Sequence, residues 1–243
     1  IGGGPAGMQA AMKAADRGHD VTLYEKKNAL GGLLTYTDHV AFKEAMARYK
    51  NYLIHQMEKR DNIKLALNTT ATPELIKEQA PDSIIVAIGA DFAVPPIAGI
   101  HGKNVMTAWD CYGREEELGQ RVVIIGGGFV GCETAIHLGT FGKQLSLLEM
   151  TGALMAEEVN NFEKWHTLHF LDHEFSFETS NLNQNRPAPD KVQIHLSTQC
   201  VEITSDGVHA VSQDGTAFFI PADTVLIATG MRRSECCALQ WQD

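Results

Sequence analysis

Two copies of one glycine pattern constrain this chain more than any other feature. Gly2-x-Gly4-x-x-Gly7 opens the sequence, and Gly126-x-Gly128-x-x-Gly131 repeats it in mid-chain. The copies lie 124 residues apart, and the acids Glu25 and Glu149 share that offset. Matched glycine spacing, helix length and acid position mark an internal repeat. Each residue in the pattern has a physical task. The first glycine permits a tight turn out of a strand, the second lets backbone approach a pyrophosphate, and the third allows close helix–strand packing. The helix that follows offers N–H donors and a partial positive charge to the phosphates. The acid accepts hydrogen bonds from ribose hydroxyls, and here it stands 21 residues after the second glycine in both copies. A lone glycine loop is also compatible with an empty strand–helix turn. Two copies, each with its acid, favour two dinucleotide sites.

The segments between the loops support a repeated βαβ plan. Met8 to Arg17 has strong helix propensity, with Gly18 as its stop. "HDVTLYEK" predicts a buried strand ending in Glu25, and Gly31-Gly32 turns the chain. "AFKEAMARYKNYLIHQMEK" predicts a long amphipathic helix with Phe42, Ala45, Met46, Tyr49 and Leu53 on one face. "IKLALNT" is a short strand and "TPELIKEQ" a capped helix. "SIIVAIGA", residues 83–90, predicts an apolar strand suited to a parallel sheet covered on both faces. "DFAVPPIAGIHG" predicts a linker. "RVVIIGGG" and "QLSLLEM" then frame the second loop. "EEVNNFEKWHTLHFLDH" suits a helix and "NLNQNRPAPDK" a loop. "VQIHLS", "CVEITSDG" and "GVHAVSQDG" predict an antiparallel meander. "DTVLIATGMRR" is a further apolar strand ending in glycine, most like "SIIVAIGA".

Charge and cysteine content narrow the partners. The net charge is −10, from 20 Lys and Arg against 30 Asp and Glu, which argues against nucleic acid. A dinucleotide is held mainly by backbone N–H groups, so the acidic balance does not oppose it. No apolar run reaches the 18 or so residues of a membrane span. Cys111, Cys132, Cys200, Cys236 and Cys237 are odd in number and form no C-x-x-C, which points to a reducing cytoplasm. A strand of about five residues is expected before a loop of this kind, and here Ile1 alone precedes Gly2.

The order of loop, Glu25, Gly31-Gly32, "AIGA", second loop, Glu149, meander and "ATG" resembles the flavoproteins with two dinucleotide-binding domains, the pyridine nucleotide–disulfide oxidoreductase superfamily. The resemblance covers nearly the whole chain. It implies an α/β fold of two interleaved Rossmann-like three-layer domains with an antiparallel β-meander. An FAD-binding domain would comprise 1–95 and 215–243, truncated at both ends, and an NAD(H)-binding domain 96–214. Neither a cysteine pair after the glycine pair nor a C-x-x-C in the second domain occurs, so the resemblance does not extend to disulfide chemistry. "GGLL", the stretch from "FKEAMARYK" to "AIGA", and "VPPIAG" are similar to the C-terminal flavin module of 2,4-dienoyl-CoA reductase, enoate reductases and trimethylamine dehydrogenase. In those relatives of old yellow enzyme an N-terminal barrel, absent here, carries FMN and an iron–sulfur cluster. The family's final Gly-Asp segment is absent too.

The resemblance assigns Gly2, Gly4, Pro5, Ala6, Gly7, Glu25, Lys26, Gly31, Gly32, Ala87, Ile88 and Gly89 to FAD, with Ala228, Thr229 and Gly230 near the cofactors. It assigns Gly126, Gly128, Phe129, Val130, Gly131, Glu133 and Glu149 to NADH. Hydride would pass from NADH to FAD and on to the barrel. A carboxylate at Glu149 repels a 2′-phosphate, and Met150 and Thr151 supply no adjacent Arg, so NADH is expected over NADPH. Glu133, placed in the first turn of its helix, either lies near the nicotinamide or stabilises a helix N-terminus. Cys132 reads as a packing residue and Cys236-Cys237 as incidental rather than a redox pair. His166, His169 and His173, near Glu163 and Asp172, share a helical face, and no metal is expected of them. Two other functions fit the loops: a non-catalytic ADP or dinucleotide module, and a stand-alone ferredoxin or small-carrier reductase.

Overall fold

The computed structural model describes residues 1–90, 94–156, 161–171 and 192–228, with the side chains of 161–163 left aside. The chain divides into two compact units, Ile1–Ala90 and Asp91–Asp243. Each is built around one copy of the repeat.

In the first unit, helix α1 spans Pro5–Ala15 and strand β1 Val21–Tyr24. Helix α2 spans Glu44–Glu58, strand β2 Ile63–Ala66 and helix α3 Pro73–Gln79. Helix α1 starts earlier than its propensity pattern suggests because Pro5 takes the first helical position, where a missing N–H costs nothing. The Thr72 hydroxyl accepts the Leu75 N–H and caps α3 as read from sequence. Strands β1 and β2 pair in parallel with Leu23 opposite Leu65. Met8, Ala11, Met12, Leu23, Leu30, Leu53 and Met57 form the core.

Two expectations for this unit are corrected. The buried face of α2 is Lys50, Leu53 and Met57, while Phe42, Met46 and Tyr49 stand 40 to 46% exposed. The helix is apolar on two flanks, and periodicity alone does not say which one packs. Residues 83–90 form no regular strand, and Ile84, Ile85, Val86 and Ile88 are exposed. Their ladder partner is Ile1, whose amino group donates to the Ile85 carbonyl and whose carbonyl accepts the Ala87 N–H.

In the second unit, β3 is Val105–Thr107, β4 Arg121–Ile125, α4 Phe129–Gly139, β5 Gln144–Leu148 and α5 Asn161–Leu171. Then come β6 Gln193–His195, β7 Thr198–Thr204, β8 Gly207–Ser212, β9 Ala217–Pro221 and β10 Thr224–Ile227. A parallel sheet runs β3-β10-β4-β5-β6, and an antiparallel sheet runs β7-β8-β9. Side chains alternate across the parallel sheet. Val122, Ile124, Leu145, Leu147 and Leu226 pack with Cys132, Ala135 and Leu138 of α4. Val123, Ile125, Leu148, Val225 and Ile227 pack on Ile203, Val208, Ala210 and Ile220 of the antiparallel sheet. Strands covered on both faces carry continuous apolar runs, as "RVVII" and "TVLI" do.

Two more expectations change here. "VQIHLS" is not part of the antiparallel sheet: β6 pairs in parallel with β5, Leu147 opposite Ile194. The third antiparallel strand is "AFFIP". Residues 215–243 were expected to rejoin the first domain, yet β9 pairs with β8, and β10 with β3 and β4. An apolar strand ending in small residues reads the same in either unit, so sequence pattern alone gave it no address. The expected linker is tied down as well: the Ala98 carbonyl accepts the Ile203 N–H of β7.

Candidate dinucleotide sites

The 124-residue repeat reaches the level of single hydrogen bonds. Gly3 N–H donates to Glu25 Oε2 at 2.7 Å, and Gly127 N–H to Glu149 Oε2 at 2.7 Å. Lys27 N–H donates to Glu25 Oε1 at 2.8 Å, and Thr151 N–H to Glu149 Oε1 at 2.7 Å. Each acid thus pins its loop with one oxygen and the turn after its strand with the other. Both oxygens keep a further lone pair for a ribose hydroxyl. The carboxylates are therefore structural and binding groups together, a double role that spacing does not reveal.

The glycines match in the same way. Gly2 and Gly126 hold φ of +104° and +112°, where L side chains are strained. A Cβ on Gly7 would lie 1.8 Å from the Gly2 carbonyl oxygen, and one on Gly131 would lie 1.8 Å from that of Gly126. Gly4 and Gly128 are the N-caps, and nothing lies within 4 Å of a Cβ built on Gly128. Pro5 and Ala6, like Phe129 and Val130, already belong to the first helical turn. Met8 and Cys132 make the first intrahelical bonds, to Gly4 and Gly128. The N–H groups ahead of them, Ala6 and Gly7 or Phe129 to Gly131, have no helical acceptor and face outward along the axis. These cradles are open at the second glycine and side-chain-free at the first and third, which fits a pyrophosphate.

Ala87 and Ala228 explain the likeness of the two apolar runs. Ala87 Cβ would lie 3.5 Å from a Cβ on Gly7, and Ala228 Cβ 3.3 Å from one on Gly131. Each alanine backs the third glycine of its own unit. Ile88 is 72% exposed, and Gly89 has φ +76° with open space beside it. Lys26 is exposed beside buried Glu25. Thr229 and Gly230 lie outside the described residues, as do Asp172, His173, Cys236, Cys237 and the side chain of Glu163.

The copies diverge at one place. Gly31 N–H donates to the Gly3 carbonyl, and Met155 N–H to the Gly127 carbonyl, both at 2.8 Å. Gly31-Gly32 is thus matched by Met155-Ala156. Gly32 at φ +55° lies against Gly4, with 2.9 Å from its virtual Cβ to the Gly4 Cα. The first cradle is walled by backbone there, whereas nothing lies within 4 Å of a Cβ on Gly128 in the second, and Met155 is buried in the hydrophobic core. Beneath the first, the stem of buried Lys50 packs on Gly31 and its ammonium pairs with Asp38. Sequence reading missed Lys50, because a lysine inside a helical pattern signals solvent.

Beside Glu149 lies a groove of about 770 Å³ lined by Met150, Thr151, Gly152, Ser197, Gln199 and Ser212, among other uncharged residues. Ser197 precedes β7, Gln199 lies on β7 and Ser212 ends β8, and none carries a motif. Glu133 is half-buried and is the fifth residue of α4, a turn deeper than expected. Helix-terminus charge effects fade within the first turn, which weakens the reading of Glu133 as an N-terminal stabiliser. Burial pushes the Cys132 thiol up to about 12, as suits a packing residue. Among the described residues no group of three His, Cys, Asp or Glu is placed to hold a metal, and no helix is long and apolar enough to cross a membrane.

Known proteins share this arrangement. The chain is 37% identical over 232 residues to bilirubin reductase of Mediterraneibacter gnavus, covering 96% of this chain and 33% of that protein. It is 34% identical over 240 residues to NADH oxidase of Thermoanaerobacter brockii, covering 95% and 33%. Among solved structures, a 2-naphthoyl-CoA reductase complex matches with TM-score 0.79 and 32% identity, covering 94% of this chain and 32% of that one. The chain therefore spans about a third of the relatives it matches. Residues 1–240 match the family described as pyridine nucleotide-disulphide oxidoreductase, and the chain belongs to that family of FAD- and pyridine-nucleotide-dependent oxidoreductases.

Proposed function

We propose that this chain is the NADH-oxidising flavin module of a larger reductase, with FAD on the first loop and NADH on the second. The observation that carries the reading is the matched pair of cradles that differ at Gly31-Gly32 and Met155-Ala156. Gly2, Gly4, Pro5, Ala6 and Gly7 would hold the FAD pyrophosphate and Glu25 its adenosine ribose, with Lys26, Gly31, Gly32, Ala87, Ile88 and Gly89 alongside. Gly126, Gly128, Phe129, Val130, Gly131 and Glu149 would hold NADH, with Glu133 and Ala228 nearby. FAD, when bound, supplies a ring that accepts hydride from reduced nicotinamide and releases electrons onward. The protein's part is to bind, orient and exclude. Glu149 and the uncharged groove beside it oppose a 2′-phosphate, which favours NADH over NADPH.

The interleaved two-domain arrangement belongs to this reading. So does a partner domain, an FMN and iron–sulfur barrel of the enoate or dienoyl-CoA reductase type, which fits the third of each relative that the chain covers. A cytoplasmic setting agrees with the buried unpaired Cys111, Cys132 and Cys200.

The test is a visible spectrum of the purified protein before and after anaerobic NADH or NADPH, with mass spectrometry of the released nucleotide. A yellow protein that releases FAD and bleaches faster with NADH supports the reading. A colourless protein that releases ADP, and takes up no added FAD, contradicts it and favours a structural nucleotide module.

A further inference from the structure

Helix α4 differs from α1 at positions that the repeat makes equivalent. Ala10 is half-buried and Lys13 exposed, whereas their counterparts Thr134 and His137 are 0% and 3% exposed. Thr134 and His137 are both engaged from one short stretch. His137 Nε2 pairs with Glu115 Oε1 at 2.7 Å, and the same oxygen accepts the Gly113 N–H at 2.8 Å. Burial pushes the Glu115 carboxyl up, but these hydrogen bonds outweigh it and hold the group below its usual range. Tyr112 Oη lies 2.9 Å from Thr134 Oγ1. The Thr134 hydroxyl donates its one hydrogen to the Val130 carbonyl at 2.7 Å, so Tyr112 is the donor in the pair. Burial raises the Tyr112 phenol well above the usual tyrosine range, which keeps that proton in place.

The end of this relay is the first turn of α4. A glycine-rich turn has few side chains by which neighbours can hold it, so its N–H groups point where the helix behind it directs them. Residues 134 and 137 lie on one side of the helix, and anchoring both resists rotation and sliding. The stretch that anchors them is fixed in turn, through the Ala108 N–H to the Ile227 carbonyl at 2.9 Å. That is the end of β10, where Ala228 backs Gly131.

We infer that Tyr112, acting through Thr134 on Val130, is a positioning residue for the pyrophosphate of the second dinucleotide, a role the first copy lacks. This rests on the second loop binding NADH. In the FAD-loaded protein, Tyr112→Phe should raise the Kd of NADH and of ADP-ribose together by roughly threefold to tenfold, the size of one hydrogen bond. FAD affinity should stay unchanged. Thr134→Val should reproduce the effect, and Thr134→Ser should restore wild-type affinity; this pair decides the matter if Tyr112→Phe does not fold. A Tyr112→Phe protein that melts earlier but binds NADH and ADP-ribose normally overturns the inference, since the tyrosine is then only structural. A wild-type protein that binds neither ligand overturns the functional reading and this inference with it.

Discussion

Single residues set the character of both sites. At Gly131 the virtual Cβ meets a backbone oxygen at 1.8 Å, and neither atom can move without displacing the loop. Gly131→Ala should cost about 2–4 kcal/mol in urea unfolding and abolish NADH binding. Glu149→Ala leaves the Gly127 and Thr151 N–H groups without their acceptor, at about 1–3 kcal/mol for each donor that water does not reach. The groove beside Glu149 gives a gain-of-function test. The Thr151 backbone carries the bond to Glu149, and replacing its side chain gives up only the hydroxyl's bond to the Ala153 carbonyl at 2.9 Å. Thr151→Arg should raise the NADPH to NADH ratio of kcat/KM about tenfold by pairing with a 2′-phosphate. An unchanged ratio would place the adenosine end of the nucleotide elsewhere. The glycines and acids were legible in the sequence because each follows from one backbone requirement at a fixed spacing. Lys50, Tyr112 and His137 were not, because their partners lie 12 to 22 residues away and no spacing rule joins them.

Elements with strong local signals form where the sequence predicts them, although α2 packs by another face and β1 is only partly buried. Helices α1, α2 and α3 and strands β1, β2, β4 and β5 each carry a cap, a period or an apolar run of their own. Elements defined by their neighbours depart from expectation. Residues 83–90 carry the apolar run of a buried strand, yet they form none and Ile84, Ile85, Val86 and Ile88 are exposed. Strand β6 has the alternation of an edge strand and took a parallel partner. Strand β10 pairs with β3 and β4, and nothing in its composition separates it from "SIIVAIGA" of the first unit. Its position is held at the start by Asp223, which accepts the Arg121 N–H at 2.8 Å and pairs with the Arg121 guanidinium at 2.5 Å. That guanidinium holds the Asp223 carboxyl down to about 2 against 3.8 for a free group. The folded state thus binds the proton more weakly than the unfolded chain. Ionised Asp223 stabilises the protein above about pH 4, and the contribution is lost as pH falls toward about 2. Asp223→Asn should therefore unfold at lower urea than wild type at pH 7, with the difference shrinking between pH 4 and 2. A gap that stays constant with pH would assign the effect to packing.

At the scale of the whole molecule, the chain is one βαβ design used twice. Its copies agree in both acid anchors, both glycine turns and the alanine behind the third glycine. They part at the glycine pair and at the polar brace behind α4. That division should show as independent sites, so the decisive measurement is FAD content and anaerobic NADH bleaching in Gly7→Ala and Gly131→Ala side by side. Gly7→Ala should lose FAD, and Gly131→Ala should stay yellow but no longer be bleached by NADH. A Gly131→Ala protein that loses its flavin, or a Gly7→Ala protein that keeps it, would contradict the assignment of the two loops.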